Sequence, residues 1–310
     1  MSIRICGTGS ALPDRILTNA DLERMVDTSD AWIRERTGIS ERRIADGESG
    51  LAQLASCAAQ NALASAGKRA EDVDLILVAT CSPELLLPCC ACQVQQLIGA
   101  ENAVAFDINA ACSGFLFALR TAEAYISSGF YRNAIVIGAE VLSKLLDWKD
   151  RSTCILFGDG AGAVYVEETS YPEGILSMVQ GSDGSKGMSL SCAKSGFIQM
   201  DGREIYKFAT RQIPECIMQA LEQAGLTVDD IDLFVLHQAN RRIIESIAKK
   251  LQADMKKFPI NLDRVGNMSS AAIPVLLDEL NRCGIIKRTH KIVLSGFGAG
   301  LTYGACVIKW

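Results

Sequence analysis

Twelve cysteines and only two histidines are spread over the 310 residues, so the search for a nucleophile and its partner is small. Cys112 stands where the apolar run Ala103–Ile108 gives way to a helical pattern over Ser113–Ser128. The N-terminus of a helix carries about half a positive charge, which stabilises a thiolate and draws a Cys pKa from ~8.5 toward neutrality. Its neighbours Ala110, Ala111, Ser113 and Gly114 are small and leave the sulfur reachable. His237 directly follows the apolar run Ile231–Leu236 and precedes Gln238-Ala239-Asn240, where Asn240 suits the N-cap of a helix starting at Arg241. A strand end meeting a helix start is where α/β proteins place ligands. His290 sits among Lys287, Arg288 and Lys291 and reads as a surface residue. On spacing alone two readings stay open: Cys112 and His237 as a catalytic pair, or a buried structural thiol and a core imidazole.

Other chemistry finds less support. Cys81, Cys89, Cys90 and Cys92 lie close together, but without the two paired CxxC units of a structural zinc site. They read as small buried residues, the usual role of free cysteine, and no metal is expected. Gly158-Asp159-Gly160-Ala161-Gly162 and Gly296-Phe297-Gly298-Ala299-Gly300 could suggest phosphate loops. Both run into β-prone sequence rather than the helix N-terminus that a phosphate site needs, so glycine here serves close approach of the backbone.

The elements that must position these residues repeat within the chain. Leu63-Ala64-Ser65-Ala66-Gly67 and the run from Glu71 to Val78 match Leu221-Glu222-Gln223-Ala224-Gly225 and the run from Asp229 to Leu236. The offset is 158, with Leu63, Ala66, Gly67, Asp72, Asp74 and Leu75 repeated identically. Each copy predicts a helix closed by a Gly cap, an acidic turn and a strand apolar on both faces. Ala134–Gly138 returns as Lys291–Ser295, and the helical runs after Ala103–Ile108 and Lys257–Ile260, both read as strands, correspond as Ser113–Ser128 and Ser269–Arg282. The counterpart of Cys112 is then Ser270, just after Gly266-Asn267-Met268-Ser269, which points Cys112 and Asn267 toward one seam. Alternating strands and helices predict an α/β protein of two similar halves, 1–168 and 169–310, with sheets sandwiching central helices. The first half carries an insertion over about 12–51, whose charged stretch Asp27–Arg43 reads on composition as a solvated helical excursion, and the join Glu168–Gly174 is too short for a flexible linker.

Composition narrows the classes further. A net charge of −5 and 6% aromatic residues argue against a nucleic-acid surface, although a local basic patch could still meet an acidic partner. No apolar run approaches the ~20 residues of a membrane span. The stretch Met1–Pro13 lacks a secretory signal's apolar core, so a cytoplasmic location with reduced thiols is expected.

Six motifs then resemble β-ketoacyl-acyl carrier protein synthase III, the initiating condensing enzyme family of type II fatty acid synthesis, within the thiolase-fold superfamily. They are Asp27-Thr28-Ser29-Asp30-Ala31-Trp32-Ile33 with Arg36-Thr37-Gly38-Ile39; Ala110-Ala111-Cys112-Ser113-Gly114-Phe115; Phe157 through Gly162; His237-Gln238-Ala239-Asn240; Gly266-Asn267-Met268-Ser269-Ser270-Ala271; and Gly296 through Gly300. The resemblance implies a thiolase-like fold, an αβαβα layered sandwich, and a Cys112-His237-Asn267 triad. It implies an acyl-Cys112 intermediate formed from acetyl-CoA or a related short acyl-CoA, then decarboxylating condensation with malonyl-acyl carrier protein. Backbone N–H groups of Cys112 and Ala299 would form the oxyanion hole, Ala299 standing where many relatives have Gly.

By the same resemblance, Thr28, Trp32, Arg36 and Arg151 bind CoA, with Trp32 and Arg151 bracketing the adenine. Gln238, Ala239, Asn240, Arg241 and Arg242 correspond to the carrier-docking segment, and Lys249, Lys250, Lys256 and Lys257 extend its positive charge. Leu142 and Phe157 are pocket walls, and Leu87 holds a position that shapes the acyl pocket across a homodimer interface, where a smaller residue than Phe predicts tolerance of longer or branched primers. CoA is a substrate, and no cofactor is implied. A specialised-metabolism condensing enzyme with the same triad is the runner-up. A thiolase would need a second catalytic Cys that neither Cys283 nor Cys306 supplies, and the intact triad argues against a silent acyl-CoA-binding module.

Overall fold

The computed structural model describes residues 2–47, 50–170 and 173–310; residues 48–49 of the expected insertion, residues 171–172 of the expected join and Met1 of the N-terminal stretch lie outside them. The chain runs β1 (Ser2–Ala11), β2 (Ile16–Thr18), α1 (Asn19–Glu23), α2 (Asp30–Thr37), β3 (Glu41–Arg43), α3 (Leu51–Ala66), β4 (Leu75–Ala79), α4 (Cys90–Ile98), β5 (Val104–Ile108), α5 (Gly114–Ser127), β6 (Asn133–Glu140) and β7 (Gly160–Thr169). It continues with β8 (Gly174–Ser182), β9 (Leu190–Ser191), β10 (Gln199–Met200), α6 (Gly202–Ala224), β11 (Leu233–Leu236), α7 (Arg241–Leu251), α8 (Leu262–Val265), α9 (Ala272–Arg282), β12 (Lys291–Gly298) and β13 (Thr302–Lys309).

Among the described residues two large sheets form, ordered β5-β4-β6-β7-β1 and β11-β12-β13-β8, beside the two-stranded pairs β2-β3 and β9-β10. The repeat in the sequence is a repeat in register: Leu77 of β4 lies opposite Val136 of β6, and 158 residues on Val235 of β11 lies opposite Leu294 of β12. α3 and α6 both close on a left-handed glycine, Gly67 and Gly225, each at φ 66 and ψ 32, a conformation that costs glycine no Cβ clash. Alternation along the buried strands divides their apolar side chains between two cores. Leu75 and Leu77 of β4 and Val235 of β11 face inward onto Phe115 and Leu119 of α5 and Leu276 and Leu280 of α9. Ile76 and Val78 face outward onto Leu54 and Ala58 of α3, while Phe234 and Val293 of the second sheet meet Ile217 of α6 and Ile244 of α7. The layers are therefore αβαβα.

Two expectations change. Lys257–Ile260 is not a strand; Met255–Lys257 forms a 3₁₀ turn, and the second sheet has four strands where the first has five. Pro259 has no N–H to give to a ladder, and Phe258 instead stacks on Phe234 with ring centroids 4.7 Å apart. Nor is the insertion a solvated excursion. β2 and β3 pair into a hairpin, and Arg42 is fully buried, its guanidinium donating to the Leu17 carbonyl at 3.2 Å, Asn19 Oδ1 at 2.8 Å and the Ile155 carbonyl at 2.7 Å. Those bonds tie the insertion to the segment that leads into Phe157. Among the described residues no helix is long and apolar enough to cross a membrane.

Candidate active site

The duplication builds two facing elbows. Ala111–Ser113 and Ser269–Ala271 are 3₁₀ turns that lead straight into α5 and α9, the two central helices. Each opens on a left-handed residue, Ala111 at φ 46 and Ser269 at φ 48. Such backbone is strained for a residue with a Cβ and persists because the packed seam over-determines it. The first elbow presents Cys112. The second aims Ser270 into the seam, where its hydroxyl lies 2.8 Å from the Ala79 carbonyl and 2.9 Å from Glu140 Oε1.

Asn267 precedes that second elbow and is pinned by backbone. Its N–H donates to the Leu156 carbonyl at 2.9 Å and its carbonyl accepts from Gly158 at 3.0 Å, an isolated parallel bridge to Phe157. Its side-chain Oδ1 accepts the Ser269 N–H at 2.9 Å, which leaves the amide N–H groups to serve another acceptor. His237 continues the β11–β12 ladder, its N–H donating to the Ser295 carbonyl at 2.8 Å, and its ring meets Phe297 edge-on at 5.5 Å. Asn240 caps α7 as expected, accepting the Arg242 N–H at 2.9 Å.

Two cavities meet at the cysteine. One, of about 440 Å³, is lined by Cys112, Ala299, Leu142, Phe157, Cys81 and Ile198 among others. The other, of about 110 Å³, joins Cys112 to His237, Asn267, Phe297, Ala239 and Asn240. The three triad candidates thus share one cavity wall. Gly298 is required by close approach: a Cβ there would fall 2.5 Å from the Cys112 N and 3.1 Å from its Cα. Ala299 is not among the non-glycine residues with positive φ, so a methyl at this position strains nothing.

The expectation of an acidified thiol is reversed. Burial pushes Cys112 up to about 12; the nearby Ser269 hydroxyl opposes that shift and the Glu140 charge adds to it. The helix N-terminus works against a larger desolvation cost. Burial likewise pushes His237 down to about 3, and its Nδ1 is buried without a hydrogen-bond partner. At neutral pH the resting site holds a thiol and a neutral imidazole.

Around the mouth, the Arg151 guanidinium carbon lies 5.4 Å from the centroid of the Trp32 ring, held by a 2.8 Å bond to the Asp27 carbonyl. Thr28 Oγ1 is buried without a partner on the same insertion. Arg36 is exposed, and its carbonyl accepts from Asn240 Nδ2 at 3.0 Å, which joins the CoA candidates to the start of α7. Arg241 and Arg242 are exposed there, Arg241 paired with Glu245 at 2.8 Å and Arg242 lying 6.0 Å from the Tyr206 ring centroid.

Two assignments need correction or qualification. Gln238 cannot meet a docking protein: it is 0% exposed and spans two backbone groups, donating to the Leu236 carbonyl at 2.8 Å and accepting from Asn261 N–H at 3.3 Å. Leu87 is 86% exposed and lines neither cavity of its own chain.

Family profiles described as 3-oxoacyl-[acyl-carrier-protein] synthase III match residues 106–184 and, for the C-terminal part, 221–310. A beta-ketoacyl-[acyl-carrier-protein] synthase III from Clostridium acetobutylicum is 49% identical over 100% of this chain and 99% of its own length. The chain belongs to the synthase III family. It is an acyltransferase with a thiolase-like fold. Among solved structures, the synthase III of Aquifex aeolicus is 45% identical and superposes with a TM-score of 0.97 over 99% of this chain and 100% of its own. The priming β-ketosynthase of the R1128 polyketide pathway is 34% identical, with a TM-score of 0.96 over 99% of this chain and 96% of its own.

Sequence reasoning missed Glu140 and the buried Arg42, and it gave no role to Ser269, which stands in one of the six motifs, or to Cys81, which reads only as a small buried residue. Glu140 ends an otherwise apolar strand, which was a readable signal, since such a carboxylate must find donors. Arg42 sits in a charged stretch where nothing in composition marks it as buried.

Proposed function

We propose that this enzyme condenses a short acyl-CoA, acetyl-CoA in the simplest case, with malonyl-acyl carrier protein, releasing CoA and CO₂ and yielding a 3-oxoacyl-carrier product that initiates fatty acid synthesis. Family membership supports the reaction. The observation that carries the residue assignment is the cavity shared by Cys112, His237 and Asn267. The Cys112 sulfur attacks the thioester carbonyl, the C–S bond to CoA breaks, and the thiol proton leaves with the CoA sulfur. Backbone N–H groups of Cys112 and Ala299 are the assigned donors to the oxyanion.

In the second half-reaction malonyl thioester loses CO₂, and the electron pair of the broken C–C bond becomes an enolate. Asn267, whose Oδ1 is already engaged, has N–H groups to donate to the enolate oxygen. A neutral His237 carries one N–H and suits the same donor role, with no proton to abstract. The enolate carbon attacks the acyl-Cys112 carbonyl, the Cys112 sulfur leaves as thiolate, and one proton taken up from solvent restores the thiol.

Thr28, Trp32, Arg36 and Arg151 form the assigned CoA seat, and Ala239, Asn240, Arg241 and Arg242 the assigned carrier-docking edge. We assign the enzyme to the cytoplasm and to a homodimer; the dimer is supported by β5, which ends its sheet with a free edge, and by exposed Leu85, Leu86 and Leu87. The likeness to the R1128 priming enzyme supports a second reading, a specialised condensing enzyme with the same intermediate. Intact-mass analysis after mixing with acetyl-CoA tests the mechanism. An acetyl adduct that malonyl-acyl carrier protein discharges is expected; no adduct, or one that survives Cys112→Ala, refutes it.

A further inference from the structure

β6 ends on Glu140, a carboxylate with no exposure that takes no part in the reaction described above. Its Oε2 accepts from Ser82 Oγ at 2.6 Å, the Cys81 N–H at 3.1 Å and Thr80 Oγ1 at 3.2 Å. Its Oε1 accepts from Ser269 Oγ at 3.0 Å and lies 2.9 Å from Ser270 Oγ. The first set of donors follows β4 in the first half; the second set is the elbow of the second half. Ser269 extends the chain toward the reacting groups, since its N–H holds Asn267 Oδ1 and it lines the larger cavity together with Cys112. Taking a carboxylate out of water is costly and is tolerated where hydrogen bonds replace the lost hydration.

We propose that Glu140 is a positioning residue for the condensation, fastening the Ser269–Ser270 elbow to the Thr80–Ser82 turn and so holding the Asn267 amide in place against acyl-Cys112. This rests on the roles given to Cys112 and Asn267 under the proposed function. Glu140 touches no substrate and acts through Ser269. Both of its oxygens accept from several donors, so an amide nitrogen at either place would face another donor. Burial raises the Glu140 pKa while its hydrogen bonds oppose that rise, and its charge, where ionised, pushes the Cys112 thiol up. The other titratable groups facing the pair are Cys81, against Glu140 at 3.4 Å, and His237, which lines a cavity with Cys112.

The test compares the full-length parent with Glu140→Gln and Ser269→Ala, following condensation kinetics and the pH dependence of Cys112 alkylation by iodoacetamide. Ser269→Ala keeps the backbone, because Ala111 holds φ 46 at the equivalent position of the first elbow. Glu140→Gln should lower kcat for condensation by about tenfold or more, leave KM for acetyl-CoA within about twofold, and move the alkylation midpoint to lower pH. Ser269→Ala should lower condensation by a similar factor while still forming the acetyl adduct, and it decides the matter if Glu140→Gln does not fold. Parental condensation rates in the folded variants overturn the proposal. A parent that forms no acetyl adduct refutes the functional reading instead, and is distinguished by that result.

Discussion

At the scale of single residues, the site works against the intrinsic acidity of its own groups. His237 is 3% exposed and held near a pKa of about 3, against ~6.5 for an exposed imidazole. As pH falls below about 6.5 the unfolded chain takes up a proton that the folded chain refuses until about pH 3. The contribution is therefore fully present above pH 6.5 and is lost on acidification, by about 2 kcal/mol between pH 7 and pH 5. Urea unfolding at both pH values should show that loss in the parent and a correspondingly smaller one in His237→Gln. Equal losses in the two proteins would mean that the imidazole is not held neutral by burial. Cys112 shows how far sequence carries at this scale. Its place before a helix was readable, but the expected acidification was not realised, because desolvation depends on what closes over the sulfur, and those groups come from distant segments of both halves, Leu142 and Phe157 as well as Ser269 and Gly298.

At the scale of elements, short junctions carry most of the precision. β12 ends at Gly298, whose backbone touches that of Cys112, so Gly298→Ala must push either β12 or the first elbow aside. A displacement of ~1 Å at a reacting centre costs about 10²-fold in rate. Turnover should fall by about that factor while the acetyl-CoA KM changes little; a fully active Gly298→Ala enzyme would contradict the assigned geometry. α7 begins beside the mouth, and its exposed Arg242 is free of any carboxylate pair among the described residues. Arg242→Glu should raise KM for malonyl-carrier several-fold at low salt, with the difference fading as salt is added, and leave acylation by acetyl-CoA unchanged. An unaltered KM would place docking elsewhere. The N-cap at Asn240 and the glycine caps at Gly67 and Gly225 were legible, because capping is local chemistry. The missing fifth strand of the second sheet was not, since an apolar run such as Lys257–Ile260 becomes a strand only where a partner offers an edge.

At the scale of the whole molecule, exposed Leu85, Leu86 and Leu87 and the free edge of β5 predict a homodimer, which light scattering should report as twice the chain mass. In such a dimer Leu87 is expected to reach the cavity of the neighbouring subunit, and comparable turnover of acetyl-, isobutyryl- and hexanoyl-CoA is the predicted result. Acetyl-only activity would remove Leu87 from primer selection. The duplication and the layered α/β architecture could be read from the chain alone, whereas the assignment of Cys112, His237 and Asn267 as a triad came from the family resemblance of their motifs. Hydrophobic periodicity, capping residues and a repeat offset of 157–158 residues are written in local order, so they survive without coordinates. Folding alone decided that Gln238 is walled in, that Arg42 is a buried clamp, that Leu87 lies outside its own cavity and that Glu140 joins the two elbows. Burial and hydrogen-bond partnership are properties of distant segments brought together, and residues 80, 140 and 269 share no pattern until the two halves close on one another.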